Sequence, residues 1–371
     1  MSVQNPLPQN VQHADRIQFL DGLRGVAILM VILFHAYVRW AGLYPYGSQF
    51  ADVPMFAYGM LGVQLFFIIS GFVILMTLEK CATFLSFMLK RWLRLFPAML
   101  ICSLFIFLTA SFFWERPAGP PIFRDMLPGL SFVEPYVWGK VLGSPQGALE
   151  GAFWSLYVEV KFYVLFGLLY FTLGGRKAIL ALTLLFFASA LISLMPQMGM
   201  SIPQRLLSLA ATLLYWSGAE YYGWFAAGAL YFWSYQKKNG VSLVLAVAIA
   251  CIAATVRGTG IADTVAALVI VLIFTAAIVS QQAQRMFRMS VLAWIGLISY
   301  PLYLLHENLM VAMIIKIGKF APWMPSVLMP VLPVVIVIAL AALVAQVAEP
   351  WLRQVLRAGM ARIAPRSRTV P

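Results

Sequence analysis

Ten apolar runs long enough to cross a bilayer follow one another along this chain, and that pattern leaves few folds open. They cover about residues 17–40, 56–78, 93–114, 154–173, 178–196, 209–235, 242–256, 262–281, 291–316 and 324–348. In lipid only a helix or a closed barrel satisfies its own backbone, and a helix needs about 20 residues to cross. Barrel strands alternate apolar and polar residues, whereas these runs are continuous. The expected fold class is therefore an all-α polytopic membrane protein with about ten transmembrane helices. A composition of 62% hydrophobic and 11% charged residues fits that class and not an ordinary soluble domain.

An even number of spans returns both termini to one side. With the N-terminus cytoplasmic, the inner segments hold sixteen of the 26 basic residues and the outer segments eight, while Arg24 and Lys161 lie within spans. The positive-inside rule thus puts both termini in the cytoplasm. This topology accounts for the net charge of +13 without a nucleic-acid partner. The first run carries Arg24 and His35 and is followed by no small-residue cleavage site, so it is expected to be a retained helix. Cys81, Cys102 and Cys251 are scattered and odd in number, and suggest neither a disulfide framework nor a metal site. The chain reads as one integral-membrane domain over 1–371, with a transmembrane core at about 15–348 and a basic cytoplasmic tail at 349–371 lying against anionic lipid. No internal repeat is visible. The longest extramembrane stretch, about 115–153, carries six prolines and several glycines and reads either as a lid facing substrate or as a passive connector.

Ionisable groups within the apolar runs mark the candidate chemistry, because burying them in lipid is unfavourable. Arg24 and His35 are eleven residues apart, about three helical turns, which puts them on one face some 16 Å apart along the axis. Asp21 precedes Arg24 by three residues and can pair with it. Snorkelling to the inner interface would explain Arg24, but His35 is too deep and too short to snorkel. His35 is either a near-neutral base or nucleophile, or a hydrogen-bonded packing residue. Glu159 lies about as far from the outer end of its helix as His35 does from its own, so the two are expected to meet, the carboxylate orienting the imidazole. The alternatives are a salt bridge from Glu159 to Lys161, or Glu159 as a residue of the membrane interface. Ser155 shares a face with Glu159. His306, beside Glu307, reads equally as a substrate contact or a packing residue. Arg91 and Arg94 share a face and can clamp phosphates or simply anchor the inner end. Ser70 and Gly71 interrupt an aromatic run, for helix packing or for substrate. His13, in the polar N-terminal tail, is set aside.

Taken together, these residues resemble the membrane-bound acyltransferase-3 family. The resemblance rests on Asp21-Gly-Leu-Arg24-Gly with His35, Phe66-Phe-Ile-Ile-Ser-Gly-Phe72, Arg91-x-x-Arg94, Trp154-Ser-x-x-x-Glu159 with Phe162-Tyr163, and Ser299-Tyr-x-x-Tyr-x-x-His306. It covers about residues 15 to 348, and five motifs in order are specific where each alone is weak. The family includes bacterial O-acetyltransferases of O-antigen, exopolysaccharide and Nod factors, and enzymes that acylate macrolides. Some members carry an extra-cytoplasmic hydrolase-like domain that this chain does not show, so it resembles the stand-alone form. The resemblance implies a bacterial inner-membrane enzyme that transfers an acyl group, acetyl before longer chains, from cytoplasmic acyl-CoA to a hydroxyl of an exported or lipid-linked glycan. It implies acetyl-CoA as donor substrate, with no permanently bound cofactor and no metal. His35, Arg24, Glu159 and Asp21 form the implied catalytic set. Arg91, Arg94, Ser70, Trp154, Ser155, Tyr303 and His306 form the implied substrate-binding set. His35 would either deprotonate the acceptor or carry the acetyl group transiently. Two other readings stay open, a transporter or flippase for a lipid-linked sugar and a non-catalytic scaffold in an export complex, since intramembrane charges also serve ion coupling.

Overall fold

The structure, a computed structural model, describes residues 17–195, 204–258 and 260–363, without the side chains of 204–207, 257 and 361–363. His13, Arg16, the side chains of Arg205, Arg257 and Arg362, and tail residues 364–371 lie outside what is described. The longer helices are α1 (Gln18–Tyr37), α2 (Gly62–Leu78), α3 (Phe84–Thr109), α4 (Trp154–Leu173), α5 (Gly175–Leu194), α6 (Gln204–Ser217) and α7 (Tyr222–Lys237). They continue with α8 (Gly240–Arg257), α9 (Ile261–Val279), α10 (Ser290–Leu305), α11 (Asn308–Phe320), α12 (Val331–Leu343) and α13 (Glu349–Ile363). No strand occurs among the described residues, and the chain is an all-α polytopic membrane protein.

Among the described residues, seven helices are long and apolar enough to cross a bilayer, or eight when Gln281–Phe287 and α10, bent by 65° at their junction, count as one span. The remaining expected runs differ for local reasons. Run 209–235 is interrupted at Gly218, whose φ of +77° is open to glycine and strained for other residues, so α6 and α7 are separate. Run 291–316 stops at His306 and Glu307, and a new helix starts at Asn308. Run 242–256 forms α8, whose apolar part, Gly240–Val256, is shorter than the candidate membrane spans. The last run passes through a π-turn at Val344–Ala348 and stays helical to Ile363, well into the expected tail.

Polar caps fix several helix starts. Thr83 and Ser86 form a reciprocal capping box at the start of α3, and Asn239 accepts from the first amides of α8. The interior is assembled by close backbone approach, as expected where lipid removes the hydrophobic drive between helices. α1 packs along α10 because Gly25 faces the Leu292 carbonyl and Gly296 faces the Asp21 carbonyl, so a Cβ at either would collide with backbone. Gly71 and Gly228 bring α2 against α7 in the same reciprocal way. These contacts put α1 at the centre of the bundle, with α2, α3, α4 and α10 around a shared cleft. One end of that cleft holds Arg24, Arg91 and Arg94, and His35 lies near the other end of α1.

Candidate active site

The cleft contains a partly open cavity of about 90 Å³. Arg24, Arg91 and Arg94 line its arginine end. Arg24 Nη1 donates to Asp21 Oδ1 at 2.8 Å, leaving the rest of its guanidinium for the cavity. Arg91 Nη2 donates to Thr77 Oγ1 at 2.9 Å, while its buried Nε has no hydrogen-bond partner among the described residues. Arg94 is exposed and makes no ion pair or side-chain hydrogen bond among the described residues. Three guanidinium groups thus line one cavity, an arrangement whose planar forks are chemically suited to phosphate oxygens.

Midway along the wall, Glu159 Oε1 accepts from the Ser70 and Tyr163 hydroxyls, both at 2.6 Å. At the histidine end the cavity stops at Phe66, Ser155 and Tyr303. The Tyr303 hydroxyl donates to the Ala152 carbonyl at 2.6 Å and lies 2.7 Å from Ser155 Oγ, which donates in return. Tyr303 therefore forms the end wall, and its ring stands 5.3 Å from that of His306.

His35 does not line the cavity; it touches His306, the ring next to Tyr303, and 12% of its side chain is exposed. Its Nδ1 is 2.9 Å from the Val31 carbonyl, which can only accept, so the proton sits on Nδ1 and Nε2 keeps its lone pair. The same reasoning puts the His306 proton on Nδ1, which donates to the Tyr303 carbonyl at 2.8 Å. His306 Nε2 is then an acceptor 3.3 Å from His35 Nδ1, and the rings are perpendicular at 4.6 Å. His35 Nε2 faces Glu307 Oε1 at 3.7 Å. A proton arriving on Nε2 would be met by a carboxylate. Beyond α1, Tyr44 and Tyr46 of the following loop donate to the carbonyls of His35 and Ala36, and burial pushes both phenols up, which keeps them donors.

The sequence expectations divide on this geometry. Arg24, Asp21, Arg91, Arg94, Ser70, Glu159, Ser155 and Tyr303 gather on or beside one cavity, and His306 touches His35. The expected meeting of Glu159 with His35 is corrected. Glu159 is held by Ser70 and Tyr163, and Glu307 is the carboxylate opposite the imidazole. Distance from a helix end fixes depth but not azimuth, and the break after α10 turns Glu307 back toward α1. The alternative partner Lys161 does not take Glu159 either, since its Nζ bonds Glu134 Oε1 and the Trp216 carbonyl, each at 2.7 Å. Trp154 is not on the cavity; it is 41% exposed and packs edge-on against Phe67 and beside Tyr221. Glu307 was visible in the sequence only as the neighbour of His306. Among the described residues no group of three or more His, Cys, Asp or Glu side chains converges as a metal site.

The acyltransferase-3 family model, described as "Acyltransferase domain", matches residues 17–349. The chain is 28% identical over 184 residues to a protein of Shigella phage Sf6 named O-acetyl transferase, covering 46% of this chain and 51% of that protein. It is 32% identical over 161 residues to O-acetyltransferase OatA of Staphylococcus aureus (strain NCTC 8325 / PS 47), covering 40% of this chain and 24% of that protein. The chain thus spans about half the length of the first relative and a quarter of the second. No solved structure matches it.

Proposed function

Since the chain belongs to the acyltransferase-3 family, we propose that it transfers an acetyl group from acetyl-CoA on the cytoplasmic side of a bacterial inner membrane to a hydroxyl of an exported or lipid-linked glycan. The observation that carries this reading is one cavity with three guanidinium groups at one end and, beyond Tyr303 and His306 at the other, an imidazole with a free nitrogen facing a carboxylate. The names of the two relatives favour acetyl as the group and oxygen as its acceptor atom.

In this mechanism the donor phosphates dock on Arg91, Arg94 and Arg24, and the pantetheine arm runs past Ser70 and Glu159 toward Ser155. The 16 Å or so between Arg24 and His35 is about the reach of that arm. Tyr303 swings off Ala152 and Ser155 to admit the thioester. Each of its hydrogen bonds contributes about 1 kcal/mol net, so an opening of roughly 2 kcal/mol leaves a few per cent of molecules open at rest. His35 Nε2 then takes the acceptor hydroxyl proton as its oxygen attacks the thioester carbonyl. The new C–O bond replaces the C–S bond, and the departing thiolate receives the proton from His35. Glu307 stabilises the transient imidazolium, while Val31 and His306 hold the ring in the tautomer that leaves Nε2 free.

Direct transfer is favoured over an acetyl-histidine intermediate by the position of Glu307. A carboxylate at 3.7 Å welcomes a proton on Nε2 but repels the carbonyl oxygen of an acetyl group there. The test is His35→Ala in membranes supplied with radiolabelled acetyl-CoA and acceptor. The expected result is loss of glycan labelling and CoA release with normal insertion. Labelling at the wild-type rate overturns the assignment. CoA release by the wild-type protein also separates this reading from a transporter, which would release none.

A further inference from the structure

The polar groups that reach His35 do not end at Glu307. Glu307, Asn308, Arg116 and Glu150 are each at most 4% exposed, a buried polar cluster of which the transfer step itself uses only Glu307. Its members come from two places far apart in the chain. Asn308 opens α11 directly after the helix break, whereas Arg116 and Glu150 stand at the two ends of the long loop between α3 and α4.

The bonds run from the loop to the break. Glu150 Oε2 accepts from the Asn308 amide nitrogen at 2.9 Å and from its Nδ2 at 2.5 Å. Asn308 Nδ2 also donates to the Leu149 carbonyl at 3.1 Å, and its Oδ1 accepts from the Ala118 amide at 2.9 Å. Arg116 Nη2 donates to the same Leu149 carbonyl and lies 3.8 Å from Glu150 Oε1. One step further, the Ala152 amide donates to Glu307 Oε2 at 2.5 Å, and Glu307 Oε1 faces His35. Gly151 makes room for this, since a Cβ there would sit 3.1 Å from Glu307 Oε2. A helix interrupted next to its charged residues needs outside partners for its exposed amides, and here the loop ends supply them.

From this arrangement we infer that Arg116 and Glu150 are positioning residues for the base. They clamp the α10–α11 break through Asn308, so that Glu307 is held against Ala152 and aimed at His35 Nε2. The inference rests on the transfer reading above and adds to it that the 115–153 loop reaches the reacting nitrogen through this clamp. A loop serving only as a connector has no need of buried charge at both ends.

The test uses the full chain in membranes or detergent, with Glu150→Gln, Arg116→Met, Arg116→Lys and Gly151→Ala. Gly151→Ala perturbs only the seat of the Glu307 carboxylate, and is the variant that keeps the test decisive if Arg116→Met fails to insert. The expected result is a kcat lowered about tenfold or more, as a misplaced base allows, with KM for acetyl-CoA within about twofold of wild type because the arginine end is untouched. Arg116→Lys should recover part of what Arg116→Met loses. Wild-type kcat in folded Glu150→Gln and Gly151→Ala, or equal losses for lysine and methionine at 116, overturns the inference. Failure of the transfer reading looks different, since the wild-type protein itself then releases no CoA and acetylates no glycan.

Discussion

Replacing Glu307 by glutamine removes one charge and keeps the shape and the hydrogen bond from Ala152. Two unit charges at the 3.7 Å separating Glu307 Oε1 from His35 Nε2 attract by roughly 4.5 kcal/mol at an effective dielectric of 20. The proton is only partly transferred in the transition state, so about half of this, some 2 kcal/mol, is lost from the barrier. That corresponds to a fall in kcat of about 30-fold. Steady-state CoA release, followed with a thiol reagent on membranes at saturating acceptor, reads this number directly. KM for acetyl-CoA should change by less than about twofold, because the donor's phosphates sit at the far end of the cavity. Glu159→Gln provides the contrast, acting at the Ser70–Tyr163 wall and expected to act mainly on KM. If Glu307→Gln keeps the wild-type kcat while Glu159→Gln loses it, the pairing argued here is refuted and the sequence-based pairing of Glu159 with His35 regains its place.

Three further outcomes follow from the same geometry. Arg91→Ala and Arg94→Ala should each raise KM for acetyl-CoA about tenfold or more with little change in kcat, since a charge-assisted hydrogen bond contributes about 1.5–3 kcal/mol; unchanged KM in both contradicts the phosphate site. Tyr303→Phe keeps the ring but removes the bonds to Ala152 and Ser155, so acceptor-independent CoA release should rise severalfold in membranes, and an unchanged leak contradicts the gating role. Arg116→Ala removes the bond to the Leu149 carbonyl and the cation beside Glu150, whose carboxyl burial already pushes up to about 8, and should cost about 1–3 kcal/mol of stability in a thermal unfolding assay in detergent; a melting temperature equal to wild type contradicts that account.

How much of this could be read from sequence depends on what each argument measured. Hydropathy found the membrane-spanning class because backbone satisfaction in lipid admits few structures. The 3.6-residue period placed Arg24 and His35 along α1, and put Arg91 and Arg94 on one cavity, because each pair lies within one helix. The pairing across helices was not legible. Glu159 sits on the cavity wall bonded to Ser70 and Tyr163, and the break after Leu305 is what brings Glu307 opposite His35. The interruptions at Gly218 and at His306–Glu307 sit inside apolar runs that a hydropathy window reads straight through. Arg116 and Glu150 looked like ordinary loop charges, because nothing within 30 residues of either announces Asn308. Glycine at 151, immediately before the motif beginning at Trp154, was the one local hint that backbone and side chain come close there.

The most direct measurement is an electron cryomicroscopy structure in nanodiscs with a non-hydrolysable acetyl-CoA analogue. The account predicts density for the diphosphate and ribose phosphate against Arg91 and Arg94, Tyr303 turned away from Ala152, and the acyl carbonyl within reach of His35 Nε2. Density for the analogue elsewhere, or an acyl end stopped at a closed Tyr303 in the presence of acceptor, would contradict it.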